Sequence, residues 1–188
     1  MLDTDFGRYE LEAELARGSC GIVYRARDRE LDRLVALKTP RHDDLGAVSR
    51  ERFRRESRLA ARLDHPGIVP VLGAGEHAGR PYYVMSLLEG APLRGPLPPA
   101  ETCRIIREVA EALAFAHARG IIHRDLKPSN LLICAGRPVL TDFGAARAEG
   151  DLRMTENGDL VGTPAYMAPE LLQGRAHEAG PAADLWSL

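Results

Sequence analysis

Three cysteines in 188 residues, Cys20, Cys103 and Cys134, form no CxxC pair, and their number is odd. That is a poor basis for a disulfide framework, so a reduced, cytoplasmic setting is expected. No apolar run approaches the length of a membrane span, and the start, Met1-Leu2-Asp3-Thr4-Asp5, is acidic, unlike a secretory signal. A net charge of -2 gives no general reason to bind nucleic acid or an anionic membrane. There is no internal repeat and no low-complexity linker. What is present is 45% hydrophobic and 28% charged residues, a balance typical of a soluble globular chain long enough to bury a core.

One stretch concentrates chemistry: His123-Arg124-Asp125-Leu126-Lys127-Pro128-Ser129-Asn130, followed at once by the apolar run Leu131-Leu132-Ile133. A second acid follows in Thr141-Asp142-Phe143-Gly144. Two carboxylates and a carboxamide on loops beside short apolar strands offer hard oxygen ligands to a divalent metal. A lysine beside them can hold a phosphate. Taken one at a time these are ordinary residues of a charged loop. Their order and spacing resemble the catalytic loop and the Asp-Phe-Gly triplet of protein kinases.

The rest of the chain agrees in order. Tyr9 to Leu15 alternates apolar and charged residues, as a half-buried strand does. Ala16-Arg17-Gly18-Ser19-Cys20-Gly21 then reads as a plain hairpin turn or as a glycine loop over phosphates. Against the kinase pattern, Ala16 stands where the first of three glycines is usual, and alanine resists positive φ, so weaker nucleotide affinity is expected. Cys20, at the loop tip, reads first as a small neutral filler. Leu34 to Lys38 is a strand ending in lysine, and Ser49 to Leu63 a helix that Ser49 can cap. Strands are expected at Ile68–Leu72 and Tyr82–Met85. Ala91 to Pro99 holds four prolines and a glycine, too many for a stable helical turn. Ala100 to Arg119 is helical, with Ile105, Val109 and Leu113 on one face, Ile106 and Ala110 beside it, and Gly120 as its stop.

The resemblance is to the catalytic domain of bacterial eukaryotic-like serine/threonine protein kinases, carried further by Val35-Ala36-Leu37-Lys38 and Gly162-Thr163-Pro164-Ala165-Tyr166-Met167-Ala168-Pro169-Glu170. It implies an α+β, two-lobe, protein-kinase-like fold. Residues 1–85 would form a small lobe with an antiparallel sheet and one helix. Residues 86–188 would form the hinge and a mainly helical large lobe, C-terminally incomplete because the chain stops near the start of the central helix opened by Asp184. It implies ATP and Mg2+ as cofactors, with Mn2+ as an alternative ion.

By resemblance, Asp125 and Lys127 are catalytic, and Asn130 and Asp142 ligate the metal. Leu15, Ala16, Gly18, Gly21, Val23, Ala36, Lys38, Glu56, Met85 and Leu87 serve the nucleotide, with Lys38 on its phosphates and Glu56 as the lysine's partner; Glu51 is the alternative partner, and core packing an equal use of Met85. Arg124, Thr155 and Thr163 belong to activation and regulation, Thr155 as a phosphosite or an unmodified loop threonine. His123, Phe143, Glu170 and Asp184 are structural. Implied partners are proteins bearing Ser or Thr, with self-association for autophosphorylation in trans. Two readings compete: an ATP-dependent protein kinase, and a pseudokinase-like binding module favoured by Ala16, the short 91–99 linker and the early stop. The early stop also predicts that Glu170 lacks its partner and that Leu185, Trp186 and Leu188 are exposed.

Overall fold

The computed structural model describes residues 5–18, 21–41, 47–143, 164–175 and 178–188. Side chains at 47–49, 52 and 56 lie outside that description. The chain divides into two units: residues up to Arg62 with Pro70–Leu88, and Leu63–Val69 with the residues from Glu89 onward.

The first unit is a six-stranded antiparallel sheet with one helix. Its strands are β1 (Asp5–Phe6), β2 (Tyr9–Gly18), β3 (Gly21–Asp28), β4 (Arg33–Thr39), β5 (Val71–His77) and β6 (Arg80–Ser86), in the order β1-β2-β3-β4-β6-β5. Alternation along the strands sends Tyr24, Ala26, Val35, Leu37 and Val84 to one face, where they pack with Phe6, Tyr9, Leu11 and Ile22. The helix α1 (Ala47–Ala60) lies against the other face through Phe53, whose ring sits 5.4 Å from that of Tyr83. The helix begins two residues before Ser49, so Ser49 falls in its first turn and is not its cap.

Two turns of this sheet are tied by one buried acid. The Asp28 carboxylate is fully buried and takes a bidentate pair from Arg8, at 3.2 and 2.6 Å, together with the Glu30 and Leu31 N–H groups. The Arg8 guanidinium, more than the backbone donors, holds the Asp28 pKa below the usual carboxylate range. A depressed acid adds stability that is present above its unfolded pKa, ~3.9, and lost as pH falls through the lower folded value. Arg8→Ala is therefore expected to unfold more easily at neutral pH. Its deficit against wild type should shrink as pH drops below about 4, which urea midpoints across pH will show.

The second unit holds the helix α2 (Pro99–His117), a small sheet of β7 (Ala91–Pro92), β8 (Leu131–Cys134) and β9 (Arg137–Leu140), and the helices α3 (Pro169–Leu172) and α4 (Pro181–Ser187). Gly120, at φ +71°, follows α2 as the stop read from sequence, but the helix starts one residue earlier than Ala100, at Pro99, and ends at His117 instead of Arg119. Ile105, Val109 and Leu113 are buried with Ala112 and Ala116, but Ile106 is 40% exposed rather than part of the stripe. Between Leu93 and Pro98 no helix forms; β7 instead joins β8, with Leu93 N–H bonding Leu131 O. The strand expected at 68–72 starts at Val71 instead. Pro70 has no N–H for a ladder, and Ile68 is drawn to Leu140 by bonds from Val69 N–H to Leu140 O and Leu140 N–H to Gly67 O. Segment 63–69 thereby belongs to the second unit. Leu185 and Trp186 are 59% and 63% exposed on α4, and Leu188 is exposed beyond it.

Candidate active site

In the first unit, pairing register decides which side chains share a face. Val23 lies opposite Lys38, Ala36 opposite Met85, and Ala16 opposite Val23. Side chains directly opposite, or two apart on one strand, point the same way. Ala16, Val23, Ala36, Lys38 and Met85 therefore share one face, turned away from the Tyr24–Leu37 core. Leu15 falls where the β2 register shifts and is half exposed, and Leu87 follows directly on β6. Ala16 is not among the non-glycine residues with positive φ, so the strain expected of an alanine here is absent. Strand pairing holds it extended, which alanine adopts freely.

Gly21 is where the turn needs glycine. Its φ is +142°, and a Cβ there would sit 2.5 Å from the Thr39 carbonyl oxygen. At Gly18 a Cβ would meet nothing within 4 Å among the described residues. Gly21→Ala is expected to cost about 1–3 kcal/mol, read as a drop in thermal midpoint, and Gly18→Ala well under that. Lys38 is only 3% exposed, with its Nζ 5.9 Å from the centre of the Tyr83 ring. Glu56 is in α1, but its side chain lies outside the described residues, as do Cys20, Gly144, Thr155 and Thr163.

In the second unit the cluster is built around Asp184, fully buried on α4. Its Oδ2 accepts the His123 N–H at 2.9 Å and its Oδ1 the Arg124 N–H at 2.7 Å. His117 Nε2, from the last turn of α2, lies 2.7 Å from the same Oδ2. These bonds hold Arg124 at φ +62°, a left-handed conformation costly for a side chain with Cβ. The Arg124 Nη2 donates to Ala179 O at 3.2 Å. His123 is fully buried; its Nε2 lies 2.9 Å from Thr141 O, and its ring stacks edge-on to Phe143 at 4.7 Å. The Asp125 N–H lies 3.4 Å from His123 Nδ1, so a proton on Nε2 satisfies both contacts.

The loop turns so that Asp125 faces its neighbours. Its Oδ2 accepts Lys127 Nζ at 2.7 Å and Asn130 Nδ2 at 3.2 Å, and Asn130 Nδ2 also reaches Asp125 O at 2.8 Å. Thr141 donates both N–H and Oγ1–H to Asn130 O, at 2.9 and 3.1 Å. The β8–β9 register thus sets Asp142, at φ +63°, one residue beyond the partner of Asn130. With Nδ2 committed, the Asn130 carboxamide oxygen is left as an acceptor among the described residues. No cluster of three or more His, Cys, Asp or Glu there can hold a metal alone. Asn130 and Asp142 fit an ion that takes its other ligands from phosphates and water, which is how Mg2+ is usually held.

His117 was not singled out by sequence. Its signal was its place four residues after Leu113 on the buried stripe of α2, a position where an ionisable residue calls for a partner. The Glu170 carboxylate has no ion-pair partner among the described residues, and only its main-chain oxygen is bonded, by Arg175 N–H at 2.8 Å.

Residues 9–188 match the family described as protein kinase domain. The chain belongs to that family and has its α+β fold. It is 43% identical over 197 residues to serine/threonine-protein kinase PknD of Mycobacterium tuberculosis, covering 100% of this chain and 29% of the relative. It is 46% identical over 193 residues to the DNA damage-responsive serine/threonine-protein kinase RqkA of Deinococcus radiodurans, covering 97% of this chain and 28% of the relative. Among solved structures, the Mycobacterium tuberculosis PknI kinase domain (C20A mutant) superposes with TM-score 0.76 at 30% identity, over 100% of this chain and 73% of the other. The apo form of PpkA-294 gives 0.78 at 30% identity, over 97% and 73%. The chain thus spans under a third of the length of these curated relatives. Among the described residues no helix is long and apolar enough to cross a membrane.

Proposed function

We propose that this chain carries the catalytic residues of an ATP-dependent protein serine/threonine kinase, using Mg2+, with Mn2+ as an alternative. The observation that carries the reading is the cluster at Asp125, with Lys127 Nζ at 2.7 Å and Asn130 Nδ2 at 3.2 Å from its Oδ2. Asp125 is the base. Its carboxylate orients the acceptor hydroxyl, and as the new O–P bond forms and the γ-phosphate's bond to ADP breaks, the hydroxyl proton passes to Asp125. Lys127 donates to the γ-phosphate. Asn130 and Asp142 hold the metal, which when bound neutralises phosphate charge. Lys38 pairs with Glu56 and holds the phosphates. Ala16, Gly18 and Gly21 offer backbone N–H groups to them, while Leu15, Val23, Ala36 and Met85 line the base and Leu87 meets it through its main chain.

Gly162 to Glu170 receives the protein acceptor, with Thr163 bonding Asp125 and Lys127. Arg124 receives a phosphate placed on Thr155 in trans by a second copy. The setting is cytoplasmic.

The test uses labelled ATP and magnesium, with the modified residues mapped. Transfer to Ser or Thr is expected; retained ATP binding without transfer at any concentration would mean a binding module instead. Lys38 and Lys127 are the chain's only lysines. An amine-reactive acylating probe therefore reports on these two lysines and the N-terminus, and ATP is expected to protect each lysine.

A further inference from the structure

We propose that Ser187 is a positioning residue for the protein acceptor. It fixes the turn Pro164–Tyr166 at a set height above the loop that carries Asp125. The inference rests on the kinase reading and names a determinant of acceptor binding within it.

The helix α4 makes two directional ties, three residues apart. Asp184 takes the N–H groups of His123 and Arg124 at 2.9 and 2.7 Å. One turn later the Ser187 hydroxyl donates to Tyr166 O at 2.6 Å. At 1.5 Å per residue the two ties stand ~4.5 Å apart along the helix axis. A serine hydroxyl has one hydrogen, and in a helix it commonly turns back to the carbonyl four residues earlier. Here that carbonyl, Ala183 O, is at 3.1 Å, and the shorter bond leaves the helix for Tyr166.

The rest of this segment is held differently. Ala168 and Leu171 pack with Ala179 and Ala183 in a small apolar cluster. Apolar burial is non-directional, so it keeps the segment down without choosing how far the turn slides. The turn itself is closed by Met167 N–H to Pro164 O at 3.1 Å. Among the described residues, the Ser187 bond is thus a directional tie from α4 to the turn. The same short helix sets the base through one residue and the acceptor-binding turn through another.

The experiment compares wild type, Ser187→Ala and Ser187→Thr in the full-length protein with a peptide acceptor. Ser187→Ala is expected to raise the peptide KM about tenfold, the equivalent of one hydrogen bond of ~1.4 kcal/mol. The ATP KM and the slow hydrolysis of ATP by water should not move, and Ser187→Thr, which keeps the hydroxyl, should restore the peptide KM. An unchanged peptide KM, an equal rise for peptide and ATP, or no recovery with threonine would overturn the proposal. Amide hydrogen exchange at Met167 provides a reading independent of catalysis. It is expected to quicken in Ser187→Ala and recover in Ser187→Thr. If wild type transfers no phosphate, the kinase reading fails on its own, and unchanged exchange at Met167 would then sink the role of Ser187 separately.

Discussion

Asp125→Asn is expected to lower kcat for phosphoryl transfer by about 10²–10⁴-fold or more, while the dissociation constant for ATP stays within about twofold. The amide is nearly the size of the carboxylate, so Lys127 and Asn130 keep an oxygen acceptor close to where Oδ2 now stands, 2.7 and 3.2 Å from them. On the proposed reading, what is lost is the group that takes the acceptor's proton. On the same reading, ATP binding draws on Lys38 and the sheet face around it. Titration with a fluorescent nucleotide beside a transfer assay checks both halves. If ATP binding fell together with turnover, Asp125 would be holding the nucleotide, and its assignment as base would be wrong.

Asp184→Ala is expected to be the most destabilising single change in the second unit, by roughly 3–5 kcal/mol. Three donors meet this carboxylate in a fully buried position: His117 Nε2, His123 N–H and Arg124 N–H. Alanine would leave all three without an acceptor, and an orphaned buried donor costs about 1–3 kcal/mol. Against a typical domain stability of about 5–15 kcal/mol that is a large share. Arg124 would also lose the bond that keeps its backbone at φ +62°, so the loop bearing Asp125 should relax. Asp184→Asn should rescue little, since its NH2 would face an N–H donor. Urea unfolding gives the stability, and transfer rates far below the folded fraction would report the loop. A loss under about 1 kcal/mol would mean the network is wet or redundant.

Much of the fold was legible because its signals are local. Alternation over Tyr9–Leu15 marks a strand, since the pleat repeats every two residues, and the short apolar run before Lys38 marks another. The stripe Ile105–Val109–Leu113 marks α2 for the matching helical reason, and Ile106, read as lying beside it, is exposed. Periodicity reports a face, not its width. The prolines at 92, 96 and 98 kept 91–98 free of helix, whereas Pro99, which the sequence grouped with them, is the first residue of α2, where a missing N–H costs nothing. The start of β5 was misplaced because Ile68 and Val69 are as apolar as a strand of the first sheet, but bond to Leu140.

Determined by the sequence alone were the identity and order of the chemical groups. His123 through Asn130 and Thr141 through Phe143 can be read in a line, because short loops bring near neighbours together with little freedom to do otherwise. Tertiary structure decided everything that joins distant residues. His117 meets Asp184 across 67 positions, and Ser187 meets Tyr166 across 21. Whether Ala16 would be strained, and whether Lys38 would be buried, depended on strand register. A linear pattern records which side of an element is apolar. It does not record which partner closes over a buried charge, because the geometry of packing, not the local chain, selects that partner.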